Sequence, residues 1–201
     1  MKLPRKPCLR PLRHGMFAAL VLSLCACVSV PASTYQPAAQ NQLRLTDASV
    51  PAMRVGSVTA AAGVANERLS LRGNSMTGGS DGTFSTYLAQ ALTTELRSAG
   101  KLATNDSSAP QISAVLTENV LDASGMSEGV GTMRARFSLS GGQMPAYQTE
   151  VAVQQRWPSS FIGAIAIPAA ISGYSATVQA LLVELFKDPV FSKGSRPTTA
   201  P

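Results

Sequence analysis

The side chains able to do chemistry are few in this 201-residue chain, and their spacing limits what that chemistry can be. All three cysteines (Cys8, Cys25, Cys27) and the one histidine (His14) fall within the first 27 residues. Beyond them the acids worth weighing are Glu118, Asp122 and Glu128. Two carboxylates about 5–10 Å apart in a cleft would serve a glycosidase-type hydrolase. These three are expected at a strand end and a turn, where acids are usually only solvated. The strongest cationic row is Arg134 and Arg136, with Glu150 and Arg156 on the next extended segment. Such a row is a candidate anion contact, suited to a lipid phosphate or a partner's carboxylates. Facing glutamates would instead draw the same arginines into cross-strand ion pairs, each worth little at a surface. This second reading of the row is the favoured one.

The remaining reactive group is the thiol of Cys27. Residues 1–15 carry Lys2, Arg5, Lys6, Arg10 and Arg13 with no acid, and Met16 to Ala26 is almost wholly apolar. A bilayer-spanning helix needs about 20 apolar residues, so a stretch this short has the length of an export signal. It closes as Leu24-Cys25-Ala26-Cys27, which resembles the lipobox of bacterial lipoproteins. Leu24 fills the aliphatic position three before the cysteine and small Ala26 precedes the cut. Cys25 departs from the small or aliphatic residue expected in the middle. The resemblance implies removal of residues 1–26, acylation of Cys27 and a membrane anchor, each buried methylene contributing about 0.8 kcal/mol. Val28 is not the Asp that resembles an inner-membrane retention signal in enteric bacteria, which points to the outer membrane and the periplasmic side. The plainer alternative is a secretory peptide cut near Ala26 that simply leaves a cysteine behind.

Removing the signal changes the composition. Five of the 17 basic residues lie in it, leaving twelve against 11 acidic ones, so the excess charge belongs to the targeting segment. Nothing then favours a nucleic-acid partner. The mature chain has no histidine and no free thiol, which excludes Ser-His-Asp and Cys-His nucleophile activation, histidine-held zinc or iron, and disulfide staples. No cofactor or metal is implied. The glycines Gly125, Gly129 and Gly131 lack the Lys-Ser/Thr ending of a phosphate loop and read as a hairpin connection. Asp81 lacks the further carboxylates of a calcium site. The remaining 175 residues suffice for one domain that buries roughly 70% of its unfolded surface.

The elements that would position these groups can be read from periodicity. Residues 27–50, rich in Ala, Gln, Pro and Ser, read as the lipidated cysteine and a flexible tether, with Leu43 and Leu45 joining the fold at its far end. Residues 51–191 read as one α+β domain and 192–201 as a disordered tail. Within the domain, Met53 to Val58 reads as a strand and Arg68 to Arg72 as a short extended piece with exposed arginine. Gly73 to Gly82 has turn chemistry throughout. Phe84, Leu88, Ala91, Leu92 and Leu96 then make one stripe of a helix from Thr83 to Ala99, with Gly100 as its stop. Three strands follow with period two: Ile112, Ala114, Leu116 and Glu118; Met133, Ala135, Phe137 and Leu139; Tyr147, Thr149, Val151, Val153 and Trp157. Pro168 suits the first turn of a second helix that Asp188-Pro189 ends. The order strand, helix, three strands, helix gives an antiparallel sheet of about four strands with two long helices on one face.

Phe161-Ile162-Gly163-Ala164-Ile165-Ala166-Ile167 is the most conspicuous apolar run of the mature chain. Burial beneath the sheet is the expected state. Exposed, Phe161, Ile162 and Ile165 would contact a membrane or an envelope partner, with Trp157 as an aromatic anchor at a loop. The segments LRGNSMTGGSDGTFSTYLAQALTTELRSAGK, ISAVLTENVLDASG and WPSSFIGAIAIPAA resemble a group of uncharacterised proteobacterial lipoproteins, over roughly Val55 to Phe191. The element order is also similar, more coarsely, to lipopolysaccharide-assembly and other small accessory lipoproteins. These likenesses imply a scaffold or binding module for an envelope protein or a lipid-like ligand, or an accessory subunit of a lipid or lipopolysaccharide transport system. Topology alone is weak support for function.

Overall fold

The computed structural model describes residues 29–47, 50–141, 147–189 and 191. Cys27, the segment read as a signal and the tail 192–201 lie outside the described residues. The architecture is α+β: three helices and two sheets around one cluster of buried apolar side chains that runs from Tyr35 to Phe191.

Three strands follow the expected alternation, the first only as far as Leu116. β5 (Gln111–Asp122), β6 (Glu128–Ser140) and β7 (Tyr147–Pro158) pair antiparallel in sequence order. In β6 the residues Met133, Ala135, Phe137 and Leu139 point into the core, and Arg134 and Arg136 point to solvent. The helix α2 (Phe84–Ser98) also matches its stripe. Its Thr83 cap accepts a hydrogen bond from the Thr86 N–H, and Gly100 ends it at φ 66°. Among described residues the second long helix is α3 (Gly163–Lys187), whose inner stripe Tyr174, Val178, Leu181, Leu182 and Leu185 is buried. It is long and apolar enough to cross a membrane by length and composition, yet this stripe is core against β6 and β7.

The sheet itself is not the simple antiparallel one expected. β2 (Arg54–Ala60) pairs with β5 in parallel, giving the order β2-β5-β6-β7. The reason is topological: α2 lies between the two strands in sequence, and a crossover returns the chain in the same direction. A second, three-stranded sheet joins the short extended piece read at Arg68–Arg72 to strands from the segments read as tether and turn. β3 (Leu69–Leu71) and β4 (Asn74–Thr77) form a hairpin, and β1 (Ser29–Pro31) adds to β4 in parallel.

Among the described residues, those from 29 to 47 also pack on the core, with Tyr35 and Leu45 buried in it. α1 (Ala39–Asp47) lies where a tether is expected, with Leu45 buried and Leu43 exposed. What holds it is polar. Glu95, on the inner side of α2 and 0% exposed, accepts hydrogen bonds at one oxygen from the Tyr35 hydroxyl (2.6 Å), the Asn41 amide (2.8 Å) and the Ala38 N–H (3.0 Å). Its other oxygen accepts from Gln42 at 2.9 Å. The carboxylate thus caps the start of α1, where backbone N–H groups lack partners and the helix dipole favours an anion.

One strand changes parity. The β5–β6 register slips between Leu116 and Glu118, a bulge that turns Glu118 outward and Asn119 inward, opposite to strict alternation. Asn119 is then satisfied in the core, donating to the Ala65 carbonyl and accepting from the Tyr174 hydroxyl.

Candidate functional site

The apolar run expected to lie beneath the sheet is split: Phe161, Ile162 and Ile165 are at the surface, while Ala166 is fully buried and Ile167 packs against the core. β7 ends at Pro158, the chain turns through Ser159 and Ser160, and α3 begins at Gly163, so Phe161-to-Ile167 forms its entrance and first turns. Pro168 sits inside the helix, not in its first turn. Phe161 is 73%, Ile162 44% and Ile165 56% exposed. Burial was expected because the run lacks an amphipathic pattern. β7 ends at Pro158 and leaves Phe161, Ile162 and Ile165 uncovered, while Ala166 and Ile167 on the inner side of the helix already meet the core.

The entrance of α3 is tied down by Arg72. Arg72 and Gly73 both have positive φ (51° and 79°) in the tight turn between β3 and β4. The half-buried guanidinium donates to the carbonyls of Ala123 (2.6 Å), Gly125 (2.5 Å) and Ser160 (2.7 Å). Ser159 N–H adds a bond to the Ser127 carbonyl at 2.8 Å. The β5–β6 loop and the entrance of α3 are thereby bound to the β3–β4 hairpin, and Met126 (76% exposed) joins Phe161, Ile162 and Ile165 at this end. Four of the six exposed large apolar side chains among described residues belong to these two neighbouring segments. From Trp157 to Val183 there is no charged residue, nor from Ala123 to Ser127.

Trp157 is not a loop anchor. It is 9% exposed, at the end of β7 directly opposite Gly129 in register. A β-carbon added at Gly129, Gly131 or Gly173 would come within 2.4, 3.3 and 2.3 Å of its ring. Gly129 and Gly131 are thus strand residues of β6, not a connection, and with Gly173 of α3 they make the slot that admits the indole.

The other sequence candidates are separated. Arg134 lies between Glu118 (3.4 Å) and Glu150 (3.3 Å), and Arg136 is 3.5 Å from Glu150, all partly exposed on the outer sheet face. Their charges are matched within the sheet, which is the ion-pair reading of the row. The three acids have three different settings. Glu118 pairs with Arg134, Glu128 with Arg156 at 2.5 Å, and Asp122 accepts from Ser124. The Ser124 hydroxyl, and then its N–H, hold the Asp122 carboxyl below its ordinary range. A general acid needs the opposite shift. Among described residues no three His, Cys, Asp or Glu gather as a metal site.

Two polar groups central to this geometry escape the sequence reading. Arg72, expected as an exposed arginine of the short extended piece, is half-buried; the only signal for its role is the Arg-Gly pair at a hairpin position. Glu95 does have one, since it falls at helical spacing with Leu88, Ala91 and Leu92 on the apolar stripe of α2.

No protein-family model and no curated protein matches the chain. Among solved structures, a Xanthomonas campestris protein of the DUF330 family is similar with a TM-score of 0.53 and 15% identity, covering 79% of this chain and 92% of that one. A Caulobacter crescentus protein described as a candidate lipoprotein has a TM-score of 0.40 and 14% identity, covering 75% and 92%. An uncharacterised protein has 0.43 and 10%, covering 79% and 99%. The Xanthomonas likeness argues for a shared fold and nothing further; the other two carry no argument.

Proposed function

We propose that the chain is an exported lipoprotein, anchored through Cys27 on the outer membrane and facing the periplasm, whose α+β domain is a non-catalytic contact module working through the apolar tip. The observation that carries this reading is the joint exposure of Phe161, Ile162, Ile165 and Met126 on two uncharged segments. Clustered exposed apolar side chains rimmed by polar ones mark docking sites, and an aromatic such as Phe161 is a common anchor. The lipobox-like Leu24-Cys25-Ala26-Cys27 supports the anchor. The separate settings of Glu118, Asp122 and Glu128 favour a contact role over hydrolysis.

The test places a photo-crosslinking amino acid at Phe161 or Ile165 in cells, with Lys187 as the control position. Crosslinks to a membrane-fraction component from the first two and none from the third are expected. Absence of crosslinks from Phe161 and Ile165 overturns the reading. So does loss of the circular-dichroism spectrum in Phe161→Asp/Ile165→Asp, since it would make the run core.

A further inference from the structure

We propose that the tip enters the same bilayer that holds the acyl chains of Cys27, giving the domain a second contact that fixes its orientation; this rests on the anchored-lipoprotein reading above. The argument starts from where the chain enters the fold. β1 pairs in parallel with β4, Ser29 opposite Ser75 and Pro31 opposite Thr77. Followed backwards, the chain at Ser29 therefore approaches from the side of Asn74 and the Arg72-Gly73 turn. That turn is the one whose guanidinium grips the carbonyls of Gly125 and Ser160, the residues immediately before Met126 and Phe161. Entry point and apolar tip share one end of the molecule.

Cys27 stands two residues before Ser29, and two residues reach at most about 7 Å. An acyl chain on Cys27 thus holds this end, rather than the far end of α3, against the membrane. Lys187, twenty-four residues beyond Gly163 on the same helix, lies about 36 Å away along its axis.

The chemistry of the tip fits that occupant. Inserting Met126, Phe161, Ile162 and Ile165 transfers no charge into the interface, because neither Ala123 to Ser127 nor Trp157 to Val183 carries one. Ser124, Ser127 and Ser160 supply hydroxyls at headgroup depth, whereas that of Ser159 is buried. The nearest charges are Asp122, the Glu128–Arg156 pair and the half-buried Arg72 guanidinium, whose N–H groups are taken up by three backbone carbonyls, so the contact is mainly apolar and depends little on lipid charge.

The experiment uses the full lipidated protein in phosphatidylcholine vesicles. Phe161→Cys and Lys187→Cys are each labelled with a polarity-sensitive dye; each provides the sole free thiol, since Cys27 is acylated and Cys8 and Cys25 leave with the signal. The dye at 161 is expected to emit to the blue and to be about tenfold less quenched by aqueous iodide than at 187, as for a segment seated in the interface. The difference should be the same at low and high salt. Adding Ile165→Asp should return the dye at 161 to water. A vesicle-bound protein with 161 and 187 equally accessible overturns the inference and leaves the anchor reading standing. An unmodified Cys27 with no vesicle association overturns both. Shielding of 161 that disappears when the protein is diluted over more vesicles identifies a second copy as the occupant and overturns the inference.

Discussion

Glu95→Ala isolates the bond that attaches residues 29–47 to the rest of the fold. Glu95 and Asn41 are fully buried and Tyr35 is nearly so, and one carboxylate accepts from Tyr35, Ala38, Asn41 and Gln42. Truncation leaves the Tyr35 hydroxyl and the Asn41 amide as buried donors facing a small void. An unsatisfied buried donor costs about 1–3 kcal/mol, and bonds to a charged acceptor lie at the upper end. Taking two such groups, and allowing for relaxation, α1 should lose about 3 kcal/mol of local stability. At about 1.4 kcal/mol per decade, its amides should exchange roughly a hundredfold faster. The assay is hydrogen–deuterium exchange of peptides covering residues 38–47, with β6 peptides as the internal standard. Glu95→Gln keeps one acceptor oxygen and places an amide opposite Gln42, so its effect should be intermediate. Exchange of α1 in Glu95→Ala within about threefold of the native rate would refute the clamp. Equal acceleration of α1 and β6 would show that Glu95 supports the whole core rather than this attachment.

Three further outcomes follow from the packing and the charges. Gly173→Ala places a β-carbon about 2.3 Å from the Trp157 ring, an overlap that should cost about 1–3 kcal/mol in urea unfolding and be partly relieved by Trp157→Phe. The four tyrosines Tyr35, Tyr87, Tyr147 and Tyr174 are all held above their ordinary value of 10.0, chiefly by burial, with Glu95 adding to the rise at Tyr35 and Asp188 at Tyr147. The folded chain therefore keeps protons that the unfolded chain gives up near pH 10. Stability should be full below that pH and fall above it, with tyrosinate absorbance appearing together with loss of the circular-dichroism signal. Arg134→Ala and Arg136→Ala, on pairs that remain partly exposed, should each change stability by less than about 1 kcal/mol in the same urea assay.

The parts of this fold that are legible in the sequence are those set by local periodicity. The alternation of Met133, Ala135, Phe137 and Leu139 and the capped stripe of α2 are of this kind, because neighbours along the chain share one surface. What is not legible depends on distant partners. The parallel pairing of β2 with β5 needs the α2 crossover, and the bulge after Leu116 inverts Glu118 and Asn119 without any marker at Thr117. α1 contributes few buried apolar side chains and is held largely by a carboxylate about fifty residues away, so its own composition reads as linker. At the tip, Pro168 suggested a helix start, whereas the helix begins at Gly163, with Ile165 facing outward while Ala166 is already buried. The exposure of Phe161 and Ile165 could not be read from their types, since the same run would suit a buried segment. Trp157 misled for the complementary reason: the glycines that make room for it lie on β6 and α3, remote in sequence.

The central claim, a domain held to a membrane by Cys27, is tested most directly by growing cells with a clickable palmitate analogue and comparing the native chain with Cys27→Ser after membrane fractionation. The account predicts label on the native protein, an N-terminus at Cys27 and recovery in the outer membrane. It predicts an unlabelled Cys27→Ser chain that still carries residues 1–26. A native protein without label, or one whose mature N-terminus lies elsewhere, would contradict the account.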